Sequence, residues 1–276
     1  MNKVNILNVS IDNISKQELL EKLTQPGVIL ITPNVYHLIK LQKDREFYQI
    51  YQLCNYRVCD SQIIFWASKF LGSPLKEKIS GSDFLADFYY FLKNNKSTRI
   101  FLLGAAEGIA KKAGERINQK VGREIVVGAY SPSFGFEKNE SECQKIVGLI
   151  EESGATVLAI GVGCPKQEKW IFKYKDQLKN IKIFLAIGAT IDFEAGAKPR
   201  APKWVSQVGL EWLYRLLSEP KRLWKRYLVD DLPFFWLLIK QKLNLYQDPF
   251  AVRAVEVRPL NEFHTWVKLI DQVLNK

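Results

Sequence analysis

One carboxylate and a set of small or hydroxyl-bearing residues stand directly after apolar runs in this chain. Asp60 closes "YRVCD", Thr32 and Asn34 follow "GVILI", and Asp192 follows "AIGATI". Two glycine-bearing loops, "GAAEG" from Gly104 and "GVGCPKQE" from Gly161, complete the set. A carboxylate at a strand end can take a proton from an alcohol. It can equally be a helix N-cap with no chemistry at all. Asp192 can accept hydrogen bonds from ribose hydroxyls, or it can be a surface loop aspartate. Gly104 and Gly161 can let backbone amides approach a diphosphate. Neither loop follows GxGxxG or the Walker pattern, so an ordinary strand–helix turn stands beside that reading. Gln167 and Glu168 open a helix after Pro165, where they either touch a ligand or simply suit the helix dipole.

Metal ligands are scarce. The two histidines, His37 and His264, are far apart, and there is no DxD motif of the kind that holds a divalent ion on a diphosphate. The expectation is no metal and no cofactor. Phosphate chemistry then falls to lysine, arginine, backbone N–H groups and helix N-termini.

The elements that must position these groups recur from about residue 28 to 190. A short apolar run ends in a small or polar loop and an amphipathic helix follows. "GVILITPN" is a strand ending at Thr32, with Asn34 capping "VYHLIKLQKD". "YRVCD" is a strand ending at Asp60, followed by the helical "SQIIFWASKFLG". "STRIFLLGAAEGIAKKAGERI", "GREIVVGAYSPSFG", "ATVLAIGVGCPKQEKWIFKY" and "IKIFLAIGATIDFEAG" supply further strands. Continuous apolar strands alternating with helices predict an α/β, Rossmann-like, mostly parallel sheet covered on both faces. Ligands of such sheets bind at the carboxyl ends of the strands.

The whole-chain properties agree. Of 276 residues, 40 are basic and 29 acidic, giving +11. Such an excess suits an anionic partner: nucleic acid, a phospholipid surface or a phosphate-bearing substrate. Cys54, Cys59, Cys143 and Cys164 form no CxxC pair and read as reduced thiols. No signal peptide is visible, and no run approaches the roughly 20 apolar residues of a membrane span. After Gly196 the connector "AKPRAPKW" marks a compositional shift. The expected domains are a core over 1–200 and a basic, aromatic helical appendage over 201–276, with an amphipathic helix near "NEFHTWVKLIDQVLNK".

Taken together, "TPN", "VCD", "ASKFLGSPLKEKISGSD", "FLLGAAEG", "GVGCPKQEKWI", "DFEAGAKPRAPKW" and "GLEWLYRLLSEPKRLWKRYL" resemble the WecG/TagA/CpsF family of bacterial glycosyltransferases, over roughly residues 5–240. The resemblance implies transfer of an N-acetylmannosamine-type sugar (ManNAc or its uronic acid) from a UDP donor. The implied acceptor is GlcNAc on undecaprenyl diphosphate, at the inner face of the cytoplasmic membrane, in cell-surface polysaccharide or teichoic acid synthesis. It implies inversion without a metal, and a Rossmann-like domain with a membrane-associated C-terminal appendage. The family's catalytic base aligns with Asp60 and its active-site threonine with Thr32. The glutamine of its "PKQE" aligns with Gln167 and the acidic residue of its next strand loop with Asp192. Two departures stand out: Ser61 replaces a common glycine and Lys78 a common arginine, a point charge in place of a fork.

The stretch "GLEWLYRLLSEPKRLWKRYLVDDLPFFWLLIKQK" then acquires a reading. On a helix, Arg215 and Arg222 are seven residues apart, and Lys225 and Arg226 follow near the same face. Pro220 suits a helix start after Ser218. Trp212, Leu213, Leu216, Trp224, Tyr227 and Leu228 supply interfacial surface. The segment is expected to touch lipid headgroups and a lipid diphosphate together. Its plainer alternative is a docked helical pair with a solvated basic face. Two rival functions remain at this level: a nucleic-acid-binding protein, and an inactive sugar-nucleotide-binding subunit. The oligomeric state is open, including self-association through an exposed basic aromatic helix.

Overall fold

The computed structural model describes residues 2–251. The amphipathic helix expected near "NEFHTWVKLIDQVLNK", with His264, lies outside the described residues. By compactness, Met1–Tyr246 form one unit and Gln247–Lys276 another.

Two strands, β1 (Lys3–Ile6) and β2 (Val9–Asp12), make an antiparallel hairpin. The main sheet contains β3 (Val28–Ile31), β4 (Tyr56–Arg57), β5 (Ile100–Gly104), β6 (Val126–Tyr130), β7 (Val157–Gly161) and β8 (Ile183–Ala186). Its order is β4-β3-β8-β7-β5-β6 and every pairing is parallel. The continuous apolar runs VILI and IFLA are buried along their whole length. That burial follows from the two-residue period of a strand. Ile29, Ile31, Leu158, Ile160 and Phe184 enter one core, whereas Val28, Leu30, Val157, Ala159 and Ile183 enter the other. Helices on each face close both cores, as a parallel sheet requires.

Two strands end earlier than their apolar runs predict. β3 stops at Ile31 and β4 pairs only through Tyr56 and Arg57. Beyond them the chains still run side by side. Val58 N–H donates to Ile31 O and Asp60 N–H to Pro33 O, both at 3.1 Å. Asp60 therefore stays beside the end of β3.

Past Gly196 the chain forms helices Lys203–Gln207, Glu211–Ser218, Pro220–Lys225 and Pro233–Lys242, with a wide helical turn over Arg226–Asp230. Glu219 is non-helical (φ −134°, ψ 59°) and separates the second from the third, with Pro220 opening the latter. The last helix docks through buried Phe234 and Leu238. Gln241 clasps the hairpin, accepting from Leu7 N (2.7 Å) and donating to Asn5 O (3.1 Å). Among the described residues no helix is long and apolar enough to cross a membrane.

Candidate active site

The helix after β4, Gln62–Phe70, is capped by Ser61, whose hydroxyl accepts from Ile63 N. The N-cap role that Asp60 could have filled is thus taken by its neighbour. Asp60 instead reaches across the fold and accepts from Gly81 N at 3.0 Å. Gly81 is the first residue of helix Gly81–Phe91, and that helix receives no cap bond from the side chain of Ser80. The first N–H groups of this buried helix start have no intrahelical partner, and with the helix dipole they favour a negative charge beside it. Burial raises the Asp60 pKa, the positive charge of Arg215 pulls it back, and Glu211 pushes it up again. The carboxylate is held in place but poorly solvated, which makes it more basic than one in water.

Thr32 is buried beside it and its hydroxyl donates to Ala186 O at 3.3 Å. A Cβ on Gly81 would sit 2.9 Å from Thr32 Oγ1 and 3.4 Å from Ile187 O. Glycine is required there for the helix start to approach β3 and β8. Sequence reasoning missed Gly81 as a site residue. Its signal was the "SGS" run ahead of an apolar helix.

Thr32, Asn34, Asp60, Gly161, Gln167, Asp192, Arg215, Arg222, Lys225 and Arg226 all line one polar cleft of about 500 Å³. Lys78 and Gly104, the other two residues expected at the site, do not line it. Gly104 has a different reason to be glycine: at φ +141°, a Cβ would lie 2.6 Å from Gly161 O. Gly161 in turn abuts Gly188 O, so these glycines let adjacent strand ends pack closely. Gln167 is buried, accepts from Gly163 N (3.3 Å) and donates to Glu168 Oε1 (2.8 Å), which braces its own loop. Asp192 lies in the short helix Thr190–Glu194, with Lys198 Nζ 3.8 Å from its Oδ2. It faces the cleft and is no surface loop aspartate.

The four basic residues converge through tertiary folding, since the break at Glu219 forbids a single helical face. Arg215 pairs with Glu211 and lies over the Phe193 ring at 5.2 Å. Burial works against its charge, but the carboxylates of Glu211 and Asp60 outweigh it, so Arg215 holds its proton more tightly than usual. Arg222 grips Glu219 with two bonds of 2.7 and 2.8 Å. Arg226 donates to Asn34 Oδ1 at 3.2 Å and lies 4.7 Å over the Tyr36 ring. Asn34 also caps helix Val35–Lys40, as expected.

A buried pair escaped the sequence reading. His37 Nε2 lies 3.5 Å from Glu168 Oε1, and their side chains are 7% and 1% exposed. Among the described residues, His37, Cys164 and Glu168 are the one group able to offer a cation three ligand atoms, all within 4.8 Å of one another. Polar spacing cannot announce such a pair, because its members lie on different strand–helix units.

A second cleft of about 630 Å³ adjoins the first between helix Gln62–Phe70 and the C-terminal helices. It is lined mainly by apolar side chains and shares Asn34, Asp60, Arg215, Arg226 and Tyr227 with the polar cleft. Asp231 also borders it. Burial pushes the Asp231 pKa up to about 6 despite the nearby Arg226.

The description "Glycosyl transferase WecG/TagA/CpsF family" matches residues 4–248. Two similar relatives are N-acetylglucosaminyldiphosphoundecaprenol N-acetyl-beta-D-mannosaminyltransferases. The protein of Staphylococcus aureus (strain MRSA252) is 25% identical over 244 residues, covering 84% of this chain and 90% of the relative. That of Bacillus subtilis (strain 168) is 26% identical over 243 residues, covering 87% and 90%. A parallel sheet whose carboxyl edge gathers a poorly solvated carboxylate and several cations, matched over nearly its whole length, identifies the chain as a glycosyltransferase belonging to the WecG/TagA/CpsF family.

Proposed function

We propose that the protein moves an N-acetylmannosamine-type sugar, ManNAc or its uronic acid, from a UDP donor to the GlcNAc of GlcNAc-diphosphoundecaprenol. The relatives' names describe that sugar and that acceptor for those proteins. The observation that carries the reading is the single polar cleft in which Asp60 faces Arg215, Arg222, Lys225 and Arg226. Asp60 takes the proton of the attacking GlcNAc hydroxyl. The oxygen bonds to the anomeric carbon from the face opposite the diphosphate, and the anomeric C–O bond to phosphate breaks. UDP departs with that electron pair, and its growing charge meets the basic residues. The configuration therefore inverts. Asp192 suits a ribose hydroxyl, and Thr32 with Gln167 bounds the donor side. We assign no step to a metal, because the cations of the cleft can neutralise the diphosphate. The exposed Trp224, Leu228 and Trp236 and the basic residues attach the enzyme peripherally to the inner face of the membrane.

The test is a donor screen with UDP-ManNAc, its uronic acid and UDP-GlcNAc against a lipid-linked GlcNAc acceptor, read by product mass and anomeric configuration. One ManNAc-type donor is expected to react, with inversion and with activity unchanged after dialysis against EDTA. Transfer from UDP-GlcNAc alone would overturn the sugar assignment. Loss on chelation with rescue by Mg²⁺ or Mn²⁺ would overturn the metal-free one.

A further inference from the structure

The geometry points to a binding site for lipid inside the protein: the apolar cleft holds the isoprene units nearest the acceptor's diphosphate, between helix Gln62–Phe70 and helix Pro233–Lys242, before the chain reaches the bilayer. The inference rests on the acceptor reading just given. That acceptor is a linear molecule of sugar, diphosphate and isoprenoid. If its sugar meets Asp60, the diphosphate lies one step further and the chain one step beyond that. The walls change character in the same order. Asp60, Arg215 and Arg226 border both clefts, and past them the lining turns to Ile63, Trp66, Phe70, Leu232 and Phe235. Two guanidiniums, partnered here by Glu211 and Asp231, thus stand where the diphosphate would join its apolar tail.

The size and cost of the cleft agree. Its volume of about 630 Å³ falls within the roughly 300–1,000 Å³ of small-ligand clefts. Trp66, Phe70, Leu232 and Phe235 are 46%, 49%, 55% and 46% exposed. Contiguous apolar surface of this kind is unfavourable in water and marks a binding face. A membrane anchor alone would need such residues only on the C-terminal helices. Yet Trp66 and Phe70 project from a helix of the sheet core, one helical turn apart and so on one face. The wall is also built. Trp66 lies so close to Gly209 that a Cβ there would collide with the indole.

The test uses the full-length protein and GlcNAc-diphosphate acceptors ending in methyl, prenyl (C5) or geranyl (C10), below their aggregation concentration and without detergent or vesicles. Each fully buried methylene is worth about fourfold in affinity. Part of the chain stays wet, so kcat/KM is expected to rise at least about tenfold from methyl to geranyl. In Trp66→Ala and Phe235→Ala the geranyl-to-methyl ratio should shrink by at least about fivefold, with protection by UDP in a thermal melt reporting an intact donor site. Independently of any variant, geranyl diphosphate should inhibit the wild type at least about tenfold more strongly than inorganic diphosphate. Equal use of methyl and geranyl acceptors by the wild type overturns the inference and leaves the proposed reaction standing. So does a ratio unchanged in both variants. If no acceptor of any length receives sugar, the reaction itself is misread and this inference falls with it.

Discussion

The polar cleft has two unlike walls. The sheet wall carries Thr32, Asp60 and Gln167 at strand ends, each with a backbone partner from another loop or strand or from its own loop. Thr32 and Gln167 are buried. The helical wall carries Arg215 and Arg222, whose carboxylate partners Glu211 and Glu219 are local, and Arg226, which hydrogen-bonds to the sheet wall through Asn34. Arg222 is 57% exposed. The difference teaches a division of labour. In the proposed reaction, the groups that meet a reacting atom are fixed by the rigid sheet. In the same proposal, the charges assigned to the diphosphate sit on long side chains that can exchange a local carboxylate for a phosphate.

Breaking the sheet wall at its carboxylate should have the largest effect. Asp60→Asn is expected to keep UDP binding but lower turnover by roughly 10²–10⁴, measured as kcat with donor and acceptor saturating. Near-normal turnover would remove Asp60 from the base role. On the helical wall, Arg222→Glu should reduce turnover roughly 10²-fold on any acceptor, while liposome co-sedimentation weakens by only about 1–2 kcal/mol. If turnover falls only in proportion to lost liposome binding, the helical wall is an anchor and no part of the site.

Gly81→Ala sharpens the contrast without touching charge. Its new Cβ would press on Thr32 Oγ1 and crowd Ile187 O. Overpacking of this kind costs about 1–3 kcal/mol, so a lower urea midpoint and a several-fold fall in kcat are expected together. By contrast, Leu217→Ala, on the helix of Arg215 but outside both clefts and 75% exposed, should leave the midpoint within about 0.5 kcal/mol of wild type. At Asp231 the effect is expected on stability alone and only at one end of the pH range. Its folded pKa of about 6 exceeds the roughly 3.9 of an unfolded aspartate. Its contribution is fully present below about pH 4 and is lost as pH rises through 6. Asp231→Asn should therefore raise Tm at pH 8, by an amount equivalent to about 1–3 kcal/mol, with little change at pH 4. A variant less stable at pH 8 would show that the pairing with Arg226 outweighs burial.

Much of the sheet wall was legible because local rules suffice there. Apolar runs named the strands, Asn34 caps its helix as read, and the strand-end rule picked out Thr32, Asp60, Gly161, Gln167 and Asp192, although the cap offered to Asp60 belongs to Ser61. The misses share one cause. Gly104 obeys a neighbouring strand end and Gly81 obeys Thr32, while the His37–Glu168 pair joins two separate strand–helix units. None of these distances has a short-range signature.

The sequence by itself determined the class of the fold, since the two-residue period of a strand and the 3.6-residue period of a helix act over a few neighbours. It also determined the chemistry on offer: carboxylates at strand ends, a basic and aromatic C-terminal stretch, and few histidines. Only the tertiary structure decided which of these groups meet. Asp60 bonds to Gly81, 21 positions away, and Arg226 to Asn34, 192 positions away. Four cations converge although their helix breaks at Glu219, and an apolar cleft opens beside them. Contacts at such separations arise from how layers pack around the sheet, where burial and close approach outweigh any preference that a residue's immediate neighbours can express.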